Sequence, residues 1–176
     1  YAAKEISRCM SKPCKSDIVA LKRLGRHLKQ HPRMIFKFKF QQMPSHIKVY
    51  CDYNYAGCLK TRKSTQGGVI MHGLHCIKTW SSTQAIIALS SAEAEYYGIV
   101  KAASQGIGIK SLCKDFNRDV SLEILTDASA ARSIANRQGL GEVRHIDTHF
   151  LWVQERVHRG DFVVSKVWGK ENPADL

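Results

Sequence analysis

Acidic residues are the scarce class in this chain of 176 residues: 15 Asp and Glu stand against 27 Lys and Arg, a formal charge of +12 at pH 7. A surplus of that size argues for a polyanionic partner, nucleic acid first and an acidic membrane surface second. No apolar run approaches the ~18 residues of a membrane span, so an integral membrane protein is excluded. An initiator Met and a leader h-region are also lacking, so no signal peptide is expected and the chain reads as a piece of something longer. The six cysteines (Cys9, Cys14, Cys51, Cys58, Cys76 and Cys113) form no C-x2-C pair, and the eight histidines form no H-E-x-x-H or paired Cys/His spacing. A structural metal site therefore has no support, and buried free thiols are expected rather than disulfides. Repeats and low-complexity tracts are missing too. What the chain does have is 44% apolar residues, enough for a packed core.

Hydrophobic patterning divides the chain at residues 46 and 47. In 1–46, Ser16-Asp17 can cap a helix with an apolar stripe of Ile18, Leu21, Leu24 and Leu28 and a basic face of Lys22, Arg23, Arg26 and Lys29. Pro32 stops it, residues 34–40 alternate apolar and basic as a strand does, and Gln41-Gln42-Met43-Pro44 reads as a linker. From residue 47 the pattern is β-rich. Strands are expected at 47–51, 67–72, 75–80, 122–126 and 162–167, with a hairpin around Gly73, and helices at 90–105, 128–136 and 145–158. Antiparallel strands followed by β–α alternation give an α/β class with a mixed five-stranded sheet and flanking helices. Trp80, Trp152 and Trp168 could be core or base-stacking residues and are read as core.

Because acids are few, their positions carry information. Asp52 and Asp127 each end an expected strand, where open α/β sheets place their sites. Asp175 follows the last strand, and Glu93 and Glu95 open the first long helix of the β-rich part. Each has a plainer reading: Asp127 as a helix N-cap, Asp52 as the start of a turn, Asp175 as another cap. Ser90-Ser91-Ala92-Glu93 fits a capping box in which Glu93 reaches the Ser90 N–H. Glu95 lies about 200° further round the helix and is free to face the sheet. Four carboxylates converging in a basic protein require hard divalent cations, Mg2+ above all. Two such ions ~3.5–4 Å apart activate water and stabilise a leaving oxygen, which points to a metal-dependent nuclease or polynucleotidyl transferase.

The segments Val49-Tyr50-Cys51-Asp52-Tyr53-Asn54-Tyr55-Ala56-Gly57 and Thr61-Arg62-Lys63-Ser64-Thr65-Gln66-Gly67 resemble the opening of the ribonuclease H domain of Ty1/copia-type retrotransposon Pol polyproteins. Ser90-Ser91-Ala92-Glu93-Ala94-Glu95-Tyr96, Leu125-Thr126-Asp127-Ala128-Ser129, Arg144-His145-Ile146-Asp147 and Glu171-Asn172-Pro173-Ala174-Asp175-Leu176 follow in that family's order. Two departures stand out: Asn54 occupies the place of a usual second Asp, and Leu151 that of a frequent His.

The resemblance implies a ribonuclease H-like domain over 47–176, preceded in 1–46 by the tail of the reverse transcriptase region as a short helical and strand connection. It implies hydrolysis of the RNA strand of an RNA–DNA hybrid with two Mg2+ ions, or Mn2+, leaving a 3′-hydroxyl and a 5′-phosphate. It assigns the metal-binding, catalytic acids to Asp52, Glu95, Asp127 and Asp175, with Asp52 bridging both ions. Asn54 and Ser91 are then candidates for reading 2′-hydroxyls, and Arg62, Lys63 and Lys78 for phosphate contacts. The implied partners are the hybrid and the reverse transcriptase domain of the same polyprotein, with no membrane, inside the cell in cytoplasmic virus-like particles. Two alternatives stand beside this reading. One is a catalytically inactive relic that binds hybrid or double-stranded RNA. The other is an integrase-type core, for which Asp119 and Glu155 have the D-x35-E spacing.

Overall fold

The computed structural model describes residues 2–58, 61–139, 141, 146 and 148–175. The chain forms two compact units, residues 1–40 and 41–176. In the first, α1 (Ala2–Ser7) precedes α2 (Lys15–Gln30), and neither helix has a buried residue. The Asp17 carboxylate accepts from the Cys14 N–H at 2.8 Å, so the start of α2 is fixed by Cys14 and Asp17 rather than by Ser16. Residues 31–44 carry no regular secondary structure. The expected strand at 34–40 is thus not formed: a strand exists through its ladder, and the five strands of the sheet come from other segments. Phe36, Phe38 and Phe40 stand exposed.

The second unit begins at Gln41, inside the stretch expected as a linker. Gln41 Nε2 donates to His72 O at 3.0 Å and its Oε1 accepts from Leu74 N at 2.8 Å, tying the segment to a hairpin turn. The sheet contains β1 (His46–Asn54), β2 (Thr65–His72), β3 (His75–Thr83), β4 (Ser121–Thr126) and β5 (Val163–Lys166), in the order β3-β2-β1-β4-β5. β1 to β3 are antiparallel, whereas β1–β4 and β4–β5 are parallel, as the mixed-sheet expectation required. Gly73 at φ +60° makes the β2–β3 turn, a conformation only glycine takes without strain.

α3 (Ser91–Asp115) runs ten residues past its expected end at Gln105. Gly106, just past that expected end, has a packing role: a Cβ there would lie 2.8 Å from Leu122 Cδ1 and 3.0 Å from Val49 Cγ2. The missing side chain lets α3 approach β1 and β4, and Ile47, Val49, Ile99, Ala102, Ala103 and Ile124 close the core beneath it. α4 (Ser129–Asn136) follows β4. A 3-10 turn at Thr148–Leu151 leads into α5 (Trp152–His158), where one helix was expected over 145–158. Arg144, His145 and Asp147 of that motif lie outside the described residues.

All six cysteines are free thiols, as expected, but only Cys51 is buried. Trp80 and Trp152 pack against the core, whereas Trp168 is 71% exposed, contrary to its reading as a core residue. No helix among the described residues is long and apolar enough to cross a membrane.

Candidate active site

Asp52, Glu95 and Asp127 come from three elements. β1 does not end at Asp52 but continues to Asn54, with Asp52 opposite Gly67 of β2, so Asp52 starts no turn. Along β1 the buried residues Ile47, Val49 and Cys51 alternate with outward ones. Tyr53 continues the Cys51 face, and Asp52 leaves the other. Asp127 directly follows β4, exposed. It caps nothing: the N-cap position of α4 is Ala128, without a side-chain cap bond, and the Ala128 N–H is taken by Thr126 Oγ1 at 3.2 Å.

The two helical glutamates divide as their phases predict. Ser90 Oγ accepts from the Glu93 N–H at 3.2 Å, but the buried Glu93 carboxylate reaches the Leu89 N–H at 2.6 Å, one residue before the Ser90 N–H of the expected box. Tyr97 Oη also donates to it, at 2.5 Å. Glu95, half-buried, accepts a hydrogen bond from Tyr53 Oη. Burial first, and then the charge of Asp127, holds the Glu95 carboxyl above the ordinary carboxylate range, against the opposing pull of Tyr53 and the Ala131 N–H. The Tyr53 hydroxyl is pushed upward by burial and by its bond to Glu95, with Asp127 and Asp52 adding to the effect. Buried Cys51 is raised to about 12, by burial and then by Asp52 and Asp127. The three acids therefore share one electrostatic neighbourhood at the ends of β1 and β4.

The fourth acid arrives by a different route. Beyond the last β1–β4 pair, Tyr50 with Leu125, the Cys51 carbonyl accepts from Asn172 Nδ2 at 3.1 Å. Buried Asn172 also accepts from the Ala174 N–H at 3.1 Å, and the Asp175 N–H closes a turn on Asn172 O at 3.2 Å. The Asp175 segment is thus pinned to the residue before Asp52. Just upstream, a Cβ at Gly169 would stand 3.3 Å from Asp127 Oδ2, so the same segment passes against the β4 acid. Tyr53, Asn172 and Gly169 had no role in the sequence reading. The signal for Tyr53 was its place next to Asp52 and for Asn172 its place within the Glu171–Asp175 motif; Gly169, two residues before that motif, had none.

The donors suit a hard divalent cation in kind, being carboxylate oxygens. As placed they do not close: among the described residues no group of three or more His, Cys, Asp or Glu side chains is disposed to hold a metal ion. The remaining candidates lie around this centre. Asn54 is exposed at the end of β1 beside Gly57, and Ser91 is exposed at the first position of α3. Arg62 is exposed in the loop after β1. Lys63 Nζ is committed to Ala85 O and Lys78 Nζ to Gln105 Oε1, both at 2.6 Å. The integrase-type pair does not assemble: Asp119 precedes β4 in an exposed loop, and Glu155 pairs with Arg159 on α5. A cleft of about 310 Å³ lies along α3, lined by Gln84, Tyr97, Lys101, His149 and Trp152, and none of the four acids lines it.

No protein-family model matches the chain. It is 28% identical over 132 residues, 74% of its length, to the retrovirus-related Pol polyprotein from transposon TNT 1-94 of Nicotiana tabacum. It is 27% identical over 179 residues, 99% of its length, to that from transposon RE1 of Arabidopsis thaliana. The chain spans about a tenth of these curated relatives, 10% and 12% of their lengths. Among solved structures it is similar to LC11-RNase H1, isolated from compost by a metagenomic approach, with a TM-score of 0.51 and 16% identity over 73% of this chain and 88% of that one. The same protein in complex with an RNA/DNA hybrid gives a TM-score of 0.50 and 18% identity, covering 73% and 91%. The fold is ribonuclease H-like, and the relatives are Pol polyproteins of plant transposons, consistent with a ribonuclease H domain of such a polyprotein.

Proposed function

We propose that residues 41–176 are a ribonuclease H that hydrolyses the RNA strand of RNA–DNA hybrids during reverse transcription of a retroelement. The observation that supports this reading most is the bond from Tyr53, next to Asp52 on β1, to Glu95 of α3, whose carboxyl also feels the charge of Asp127. The similar LC11-RNase H1 holds a hybrid on the same fold. The alignment with the RE1 polyprotein over 99% of the chain supports the reading of the first unit as the end of a neighbouring reverse transcriptase region. The working place would then be the cytoplasmic particle of the parent element.

Asp52, Glu95, Asp127 and Asp175 would hold two Mg2+ ions, with Mn2+ as a substitute. When bound, such a pair activates a water and stabilises the leaving oxygen of an in-line phosphoryl displacement. The chain's own groups have the following parts. Tyr53 Oη and the Ala131 N–H orient Glu95, as hydrogen-bonded neighbours orient ligating carboxylates. Asn172 keeps the Asp175 segment against β1. Asn54 and Ser91, exposed at the ends of their elements, would meet 2′-hydroxyls in a wide minor groove. Arg62 supplies phosphate affinity, and Lys63 and Lys78 join it only by releasing Ala85 O and Gln105.

The test is cleavage of a labelled RNA–DNA hybrid with Mg2+ and with EDTA, beside Asp127→Asn. Metal-dependent cuts confined to the RNA strand and lost in the variant are expected. A second reading, a hybrid-binding relic, has one observation in its favour: Glu95 is engaged by Tyr53, and the acids do not close round an ion as placed. Hybrid binding without cutting at any Mg2+ concentration would favour it.

A further inference from the structure

We infer that Trp168, flanked by Lys166 and Lys170, is a nucleic-acid contact at the rim of the acidic centre, the indole stacking on a base or ribose and the two ammonium groups meeting phosphates. This rests on the reading of the unit as a hybrid-binding domain.

Both chain neighbours of Trp168 are anchored to the end of β4. On one side the buried Val167 donates its N–H to Thr126 O at 3.0 Å, extending the β4–β5 ladder by one bond. On the other, Gly169 lies against Asp127, with the carboxylate Oδ2 3.3 Å from where a Cβ would sit. The backbone before Trp168 is therefore held to the end of β4 by a hydrogen bond and the backbone after it passes close to Asp127, while the ring is 71% exposed. The chain does not spend this ring on its own packing. A cation, Lys166 Nζ, lies over the ring, 5.2 Å from its centroid. Lys166 and Lys170 are themselves exposed, so the ring and both cations face the solvent at the edge of the acidic centre.

A large exposed aromatic between two lysines is a poor arrangement for solubility and a good one for a polyanion carrying flat faces. Every base offers a π-face, so stacking tolerates any sequence. Lysines beside the ring supply the attraction to phosphate that the neighbouring carboxylates oppose. The occupant is the hybrid, because the platform is continuous with Asp127 through Gly169.

The test uses the full chain in EDTA, where the hybrid stays uncut. Anisotropy of a labelled RNA–DNA hybrid gives Kd and its salt dependence, and tryptophan emission reports the ring. Trp168→Ala is expected to raise Kd about five- to a hundredfold, the range that alanine substitution of a stacking aromatic gives, without changing the slope of log K against log salt. Trp168→Phe should recover most of the affinity. Lys166→Ala and Lys170→Ala should each lower that slope by roughly one. Wild-type emission should change on adding hybrid, and this change should be absent in Trp168→Phe. The thermal midpoint of Trp168→Ala should match wild type, since the exposed ring buries little. A Kd within twofold of wild type, or an emission change that persists in Trp168→Phe, overturns the inference while leaving hybrid cleavage intact. Trp168-dependent binding in a wild-type chain that cuts nothing with Mg2+ would uphold the contact and remove the nuclease reading instead.

Discussion

Asn172→Ala should loosen the acidic centre from below without touching any of its carboxylates. Asn172 is 6% exposed and bridges two chain segments: Nδ2 donates to Cys51 O, and Oδ1 accepts from the Ala174 N–H, both at 3.1 Å. Removing the amide deletes two hydrogen bonds, each with a net contribution of about 0.5–1.5 kcal/mol, and leaves a carbonyl in the buried Cys51 region short of a donor, a desolvation cost of about 1–3 kcal/mol. These effects overlap, and together they predict a loss of about 2–4 kcal/mol. In urea, with m near ~2 kcal/mol/M, the unfolding midpoint should fall by about 1–2 M at unchanged m. Asn172→Asp sharpens the reasoning. It keeps the acceptor for Ala174 and loses only the donor to Cys51, so it should be as damaging as alanine if the tie to β1 is what matters. A midpoint within about 0.2 M of wild type for either variant would refute the assignment of Asn172 as the pin. So would an aspartate variant that behaves as wild type.

Glu95→Gln should stabilise the fold at neutral pH. The folded-state pKa of Glu95 is raised by burial, so the native state holds its proton more tightly than the unfolded chain does. Stability from that group is complete below its ordinary value of 4.5 and is lost as pH rises through the higher folded value. The variant, which cannot ionise, should therefore unfold later than wild type at pH 7 and together with it at pH 3.5 or so, as thermal melts at both pH values will show; an equal advantage at both would rule out the charge as its source. Gly106→Ala should destabilise despite the better helix propensity of alanine. Its Cβ would meet Leu122 and Val49, both buried in the core, and overpacking costs about 1–3 kcal/mol against a propensity gain of about 0.8–1.0 kcal/mol. Denaturant unfolding that shows a more stable variant would mean that α3 can lift off the sheet.

The order of elements was legible from residue 47 onward because the strands stand as apolar stretches between turn residues. Asp127 does follow the end of its strand, whereas β1 runs on past Asp52 to Asn54 because Gln66 and Thr65 of β2 continue its ladder. What could not be read is what depends on partners remote in sequence. Gly106 looks like a helix breaker until Leu122 and Val49 are seen 2.8 and 3.0 Å from its missing Cβ. Residues 34–40 have the alternation of a strand, but alternation supplies only a face, and the described residues form no strand there. Trp168 was placed in the core by residue type, although the fixed backbone on either side of it turns the ring outward. Net charge misleads in a related way. Residues 1–40 hold 11 of the 27 Lys and Arg and only 2 of the 15 acids, while 41–176 hold 16 and 13. The unit that carries the acidic centre is close to balance, so its hold on a polyanion cannot come from bulk charge and must come from a few placed groups. Trp168 with its two lysines is such a group. The +12 of the whole chain, which first suggested nucleic acid, resides mainly in the other unit.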